Sequence, residues 1–167
     1  MARLSISIYL SCGSNLGDRA ANINEALILL TKDREVEIIG RSAFYSTSPV
    51  DMLEQPEFLN NVVAVKTELT AEQLLKKSKA VEASLNTMVK IPKGPRVIDI
   101  DILTYHLQVS HSENLHLPHP SICQRRFVLV PLLEVNPSAY CMIDKRPYQE
   151  CLLSITDRTQ LVELYHG

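Results

Sequence analysis

Tryptophan is absent and phenylalanine occurs only 3 times, so a site that grips a flat ligand between aromatic rings has few residues to draw on. The four cysteines, Cys12, Cys123, Cys141 and Cys151, form no C-x-x-C pair and no ladder of close pairs. That pattern argues against a disulfide framework and predicts reduced thiols. No apolar run is long enough to span a bilayer, and the N-terminus lacks the uninterrupted apolar core of a signal peptide. A cytoplasmic protein with no membrane partner is expected. Basic residues number 17 against 19 acidic ones, a formal net charge of -2. No broad positive field exists to hold a nucleic acid, and any anion site must be local.

What is present is ordinary globular material. Apolar residues make up 46% and charged residues 22% of 167 residues, enough for a real core and consistent with a single domain spanning residues 1–167. Leu4, Ile6, Ile8 and Leu10 alternate with Ser5, Ser7 and Tyr9, the period of a strand with one buried face. A glycine-containing turn at residues 13–18 leads into helical spacing, with Ile23, Leu27 and Leu30 on one stripe. Residues 36–45 and 58–68 are rich in β-branched and aromatic side chains and predict two strands, separated by a loop holding Pro49 and Pro56. Thr70 and Gln73 form a capping box, and Leu69 with Leu74 a hydrophobic staple, at the start of a second helix. Residues 86–94 have no period and predict a loop; residues 97–105 alternate again and predict a central strand. Phe127–Val135 is compatible with helix or strand. Strands interleaved with amphipathic helices favour an α+β sandwich.

Asp99 and Asp101 stand two apart in that last alternating segment, so a strand aims both at one face with Cβ atoms about 6–7 Å apart. Magnesium takes one or two protein carboxylates and completes its shell with water and phosphate oxygens. A solvated amphipathic strand would show the same spacing. Gly94-Pro95-Arg96 lies directly upstream, offering a turn and then a guanidinium suited to phosphate, or to pairing with the aspartates. His119, Arg125 and Arg126 form a second basic group. Phe58 and Asn60 share one side of a predicted strand, where they are either core and edge residues or a stacking ring with a polar reader beside it. Gly13-Ser14-Asn15-Leu16-Gly17 lacks the lysine and Ser/Thr of a P-loop.

Taken in order, Gly13-Ser14-Asn15-Leu16-Gly17-Asp18-Arg19, Tyr45-Ser46-Thr47, Gln55-Pro56-Glu57-Phe58-Leu59-Asn60, Gly94-Pro95-Arg96-Val97-Ile98-Asp99-Ile100-Asp101-Ile102-Leu103, Pro118-His119-Pro120 and Arg125-Arg126-Phe127-Val128-Leu129 resemble the 6-hydroxymethyl-7,8-dihydropterin pyrophosphokinase family of folate biosynthesis. The resemblance spans residues 4 to about 137. It implies a ferredoxin-like αβα sandwich with a mainly antiparallel central sheet, acting as a monomer on ATP and hydroxymethyldihydropterin. The reaction implied is attack of the pterin's hydroxymethyl oxygen on the β-phosphorus of ATP, releasing AMP. Carried over by residue, Asp99 and Asp101 would hold two Mg2+ ions, with Arg96 and Arg125 on the phosphates. Thr47, Ser48, Val50 and Asn60 would read the pterin edge, and Phe58 and Phe127 would sandwich its ring. Leu75, Lys79, Glu82, Ile102 and His119 would join Arg96 and Arg125 in the nucleotide site.

The chain departs from the family pattern after Glu82, where Gly-Arg-x-Arg is typical and Asn86-Thr87-Met88-Val89 stands instead. Lys90 and Lys93 are the nearby cations, and lysine lacks the planar fork of arginine. Loss of those arginines would slow turnover on the order of a hundredfold if they act in the transition state. The alternative expectation is therefore a pterin- or nucleotide-binding module of the same fold with little transfer. Ser48 also stands where proline is common.

Overall fold

The computed structural model of the protein describes residues 8–87 and 91–167. Strand β1 (Ile8–Ser14) leads through a short turn into α1 (Arg19–Thr31), whose N-cap Asp18 accepts the backbone N–H of Ala21 at 3.0 Å. β2 (Val36–Arg41), β3 (Tyr45–Thr47) and β4 (Phe58–Thr67) follow. α2 (Ala71–Leu85) begins with the expected capping box of Thr70 and Gln73. Beyond it come β5 (Asp99–Tyr105), the small pair β6 (Ser110–His111) and β7 (His116–Leu117), and a 3-10 turn at Ile122–Gln124. The chain finishes with α3 (Arg126–Val135), α4 (Tyr148–Ser154) and β8 (Val162–Leu164).

The main sheet runs β5-β1-β4-β3-β8, with β2 also on β4, and its pairings are antiparallel. Strand alternation divides its side chains between two cores. Leu10, Cys12, Leu59, Val63, Ile100 and Ile102 pack with Ile23, Leu27 and Leu30 of α1 and Leu74 and Val81 of α2. Tyr9, Val62, Ala64 and Leu103 pack on the other face with Val128, Leu129 and Leu132 of α3 and Cys151 of α4. Helices thus cover both faces, the α+β sandwich expected from the sequence.

Two expectations are corrected and one open alternative is settled. β5 is an edge strand among the described residues, not a central one. Its entry is capped by side chains: Asn86 accepts from Val97 and Ile98 N–H at 2.9 and 3.2 Å and donates to the Ile98 carbonyl at 2.8 Å, while further along the Leu103 carbonyl accepts the His119 N–H at 2.7 Å. Glu82 accepts the Ile100 N–H at 2.7 Å. An edge covered in this way mimics a paired one in its hydrogen bonding and burial. The ambiguous segment at residues 127–135 is helical despite Pro131. Its Val128, Leu129 and Leu132 fall on one helical face and are buried together. Finally, Cys123 and Cys151 form a disulfide with Cα atoms 5.0 Å apart, whereas Cys12 and Cys141 are free. The pair is 28 residues apart in sequence, so only the packing of α4 beside the 3-10 turn brings it together.

Candidate active site

α3 covers only part of its sheet face. Tyr9, Val62 and Leu103 lie under it. Further along the same side chains' rows, Ser11 and Gly13 of β1, Asp99 and Asp101 of β5, and Phe58 and Asn60 of β4 remain uncovered and line a cleft of about 280 Å³. The register explains the convergence: Ser11 pairs with Asp101, and Gly13 pairs with both Asp99 and Asn60. Thr47, Ser48, Val50, Arg96, His119, Arg125 and Phe127 complete the walls with Asp51, Gln55 and Lys93. All the proposed pterin and phosphate residues therefore meet in one cavity. An adjoining cavity holds Leu75, Lys79 and Ile102, and shares Asp101 and His119 with the first.

Glu82 is the exception. It lines neither cavity and is 1% exposed. Its carboxylate, besides holding Ile100, receives Lys79 Nζ at 3.0 Å. Burial is the largest single influence on Lys79 and lowers it, but the charge and hydrogen bond of Glu82, together with the charges of Asp99 and Asp101, outweigh it and hold the ammonium above the usual lysine range.

Local geometry is set by residues that the sequence reading left without a role. Asn15 Nδ2 donates to Gln55 Oε1 and the Pro56 carbonyl, each at 3.0 Å, while its Oδ1 accepts Arg96 N–H at 2.9 Å. One buried amide thus clasps three loops, and the Gly13–Gly17 turn serves as a brace rather than a phosphate loop. A Cβ on Gly13 would lie 2.6 Å from Asn60 Oδ1, so glycine leaves the room that Asn60 occupies. Asn60 Nδ2 in turn donates to Thr47 Oγ1 at 2.6 Å. Ser48, unlike proline, has an N–H to give: it donates to Leu161 O at 3.1 Å, and its hydroxyl accepts Leu161 N–H at 2.9 Å. Gln160 Oε1 accepts the first free N–H of α3, that of Arg126, at 3.0 Å. The C-terminal segment, unplaced by its sequence, therefore holds two walls of the cleft.

The electrostatics are those of an anion pair in a cationic frame. Arg96 Nε lies 3.6 Å from Asp99 Oδ2, and its guanidinium sits 5.3 Å from the centre of the Phe58 ring. The Arg125 guanidinium is 5.6 Å from the Phe127 ring centre. Asp101 keeps some surface open to the cleft but is ringed by protein atoms. Burial first, and the Asp99 charge second, push its carboxyl up to about 6, against the pull of Lys79 and Arg125. Burial and then the nearby Arg125 charge push His119 down to about 4. Ser121 N–H donates to His119 Nδ1 at 3.2 Å, which suits a neutral ring. Two carboxylates forced together are a fitting donor set for a hard cation, which would relieve their repulsion. Among the described residues no cluster of three or more His, Cys, Asp or Glu could hold a metal.

An αβα sandwich whose exposed sheet end joins an acidic pair, two arginines and two rings defines a phosphoryl-transfer type of site. The family model of 7,8-dihydro-6-hydroxymethylpterin-pyrophosphokinase matches residues 9–137. The chain belongs to this family. The 2-amino-4-hydroxy-6-hydroxymethyldihydropteridine pyrophosphokinase of Methylorubrum extorquens is 43% identical over 129 residues, covering 77% of this chain and 82% of that protein. The enzyme of the same name from Aquifex aeolicus is 38% identical over 144 residues, covering 86% and 89%. The folic acid synthesis protein of Schizosaccharomyces pombe is 38% identical, but this chain spans 20% of its length. Among solved structures, wild-type HPPK-DHPS of Plasmodium falciparum with pteroate superposes with a TM-score of 0.68 at 16% identity, over 87% of this chain and 43% of that one, a likeness of fold. No described helix is long and apolar enough to cross a membrane.

Proposed function

We propose that the protein transfers the β,γ-diphosphoryl group of ATP to 6-hydroxymethyl-7,8-dihydropterin, giving AMP and the pterin diphosphate. The observation that carries this reading is the convergence of Asp99 and Asp101 with Phe58, Asn60 and Phe127 in one cleft. The hydroxymethyl oxygen forms a bond to the β-phosphorus and gives up its proton to water. The bond from that phosphorus to the α,β-bridging oxygen breaks, and its electron pair leaves with AMP.

Asp99 and Asp101 hold two Mg2+ ions, which when bound supply neutralising charge along the triphosphate. Arg96 and Arg125 take phosphate oxygens by paired hydrogen bonds. Phe58 and Phe127 stack on the pterin, while Asn60 and the backbone around Thr47, Ser48 and Val50 read its edge. The adjoining cavity, with Leu75, Lys79, Ile102 and His119, takes the nucleotide. Glu82 acts through β5 as a positioning residue. Such a site works by alignment and electrostatics, since phosphoryl transfer asks little covalent chemistry of the protein. The bacterial relatives named above are pyrophosphokinases, which favours turnover over a silent binding module. The protein acts as a monomer in this reading, and the need for ATP suits the cytoplasm.

The test mixes purified protein with ATP, Mg2+ and hydroxymethyldihydropterin and follows AMP. Equal amounts of AMP and pterin diphosphate are expected. ADP as the product, or no nucleotide turnover, would overturn the assignment.

A further inference from the structure

Asp51 lies in the irregular segment between β3 and β4 and lines the same cleft as the acidic pair. No carboxylate is expected there from the reaction, yet it faces two cations at once. Its Oδ1 is 3.5 Å from Lys93 Nζ and its Oδ2 is 3.7 Å from Arg125 Nη2. The arrangement is fixed by backbone. Gln55 Nε2 donates to the Met52 carbonyl at 2.8 Å and to the Lys93 carbonyl at 3.1 Å, so one amide ties the loop of Asp51 to the turn of Lys93. Gln55 is itself held by Asn15. Lys93 takes a left-handed backbone, with φ 59°, at the turn that delivers Gly94-Pro95-Arg96 to the site.

We propose that Asp51 is an internal stand-in for the substrate's phosphates: it occupies Lys93 and Arg125 in the free protein, and a polyphosphate displaces it to take both cations. This role rests on the polyphosphate-binding part of the reading above, not on transfer itself. Three observations carry it. One oxygen faces each cation, the bridging arrangement a phosphate would adopt. The separations exceed ordinary hydrogen-bond lengths, and the side chains of Asp51 and Lys93 are 40% and 70% exposed, so the pairs are weak and exchangeable. A triphosphate brings more charge and more acceptor oxygens to the same two donors, and so outcompetes a single carboxylate. Lys93 becomes a phosphate contact in a chain whose segment Asn86-Thr87-Met88-Val89 carries no cation of its own. Asp51 in turn selects for ligands with a polyphosphate tail, because only these repay the broken pairs.

The experiment is a calorimetric titration of Mg2+ with the non-transferable analogue α,β-methylene-ATP, and separately of AMP, into wild type, Asp51→Asn, Asp51→Ser, Lys93→Gln and the Asp51→Asn/Lys93→Gln pair. Thermal melts confirm that each variant is folded. Both Asp51 variants should bind the ATP analogue about three- to tenfold more tightly than wild type, with AMP affinity unchanged. The gain should shrink in the Lys93→Gln background and at high salt. Unchanged or weaker analogue binding in both Asp51 variants, or an equal gain for AMP, would overturn the proposal. Binding is read without pterin, so a wild-type protein that makes no AMP would sink the transferase reading alone. An active enzyme whose Asp51 variants gain nothing would sink only this one.

Discussion

The carboxylate of Glu82 on α2 accepts the backbone N–H of Ile100 at 2.7 Å, so a buried side chain holds the residue standing between Asp99 and Asp101. The spacing of the acidic pair comes from the strand. Its aim comes from this contact and from the Asn86 bonds one turn further on.

Replacing Glu82 tests that link. Glu82→Ala removes the acceptor of Ile100 and the charge beside Lys79, and should cost about 2–4 kcal/mol of stability. AMP formation should fall at least tenfold, through displacement of β5. Glu82→Gln keeps an acceptor oxygen for Ile100 and should recover most of the stability. Denaturant titration with steady-state kinetics checks both, and equal losses in the two variants would remove the positioning role.

Asp101→Asn should separate function from stability. The carboxyl is raised from 3.8 to about 6, so its ionised form is disfavoured in the fold. Native protein is penalised progressively as pH rises from about 4, and fully above about 6. The amide removes that penalty. Without Mg2+ at pH 7.5 the variant should melt higher than wild type, by roughly 1–3 kcal/mol of stability, while AMP formation drops at least a hundredfold. Added Mg2+ should raise the melting temperature of wild type more than that of the variant.

His119 gives a pH dependence of the opposite kind. Its folded value, pushed down to about 4, lies below the ordinary value of 6.5. Between those values the unfolded chain binds the proton and the folded one does not, so stability is present above about 6.5 and declines as pH falls towards 4. His119→Gln should flatten this part of the stability profile, as measured by denaturation at half-unit steps of pH. An unchanged slope would show that the decline arises elsewhere.

The Cys123–Cys151 bond closes a loop of 28 residues. Chain-entropy arguments assign such a closure about 2–4 kcal/mol. Dithiothreitol should therefore lower the melting temperature, and Cys123→Ser should abolish the effect of the reductant. Thiol titration of the unfolded, unreduced protein should find two groups, Cys12 and Cys141. Four titrating groups would show that both partners of the bond are reduced.

Much of this was written locally. Alternation placed Asp99 and Asp101 on one face, and the Thr70–Gln73 box began α2 where its chemistry required. Both signals involve residues within four positions of each other, so no distant contact is needed to read them. Phe58 and Asn60 shared a side for the same reason, and ordered motifs supplied the family. Residues Met88, Val89 and Lys90, on which part of the missing-arginine expectation fell, lie outside the described residues.

The sequence by itself determined the strand and helix periods, the acidic pair, the rings and the arginines, because each is a matter of residue type and short spacing. Only the tertiary structure decided that β5 lies at an edge sealed by Glu82 and Asn86, that Asn15 clasps three loops, and that the C-terminal segment braces the cleft. It alone joined Cys123 to Cys151 and set Asp51 before Lys93 and Arg125. These depend on partners 11 to 113 positions apart, and no local pattern reports which of many distant polar groups a buried side chain will meet.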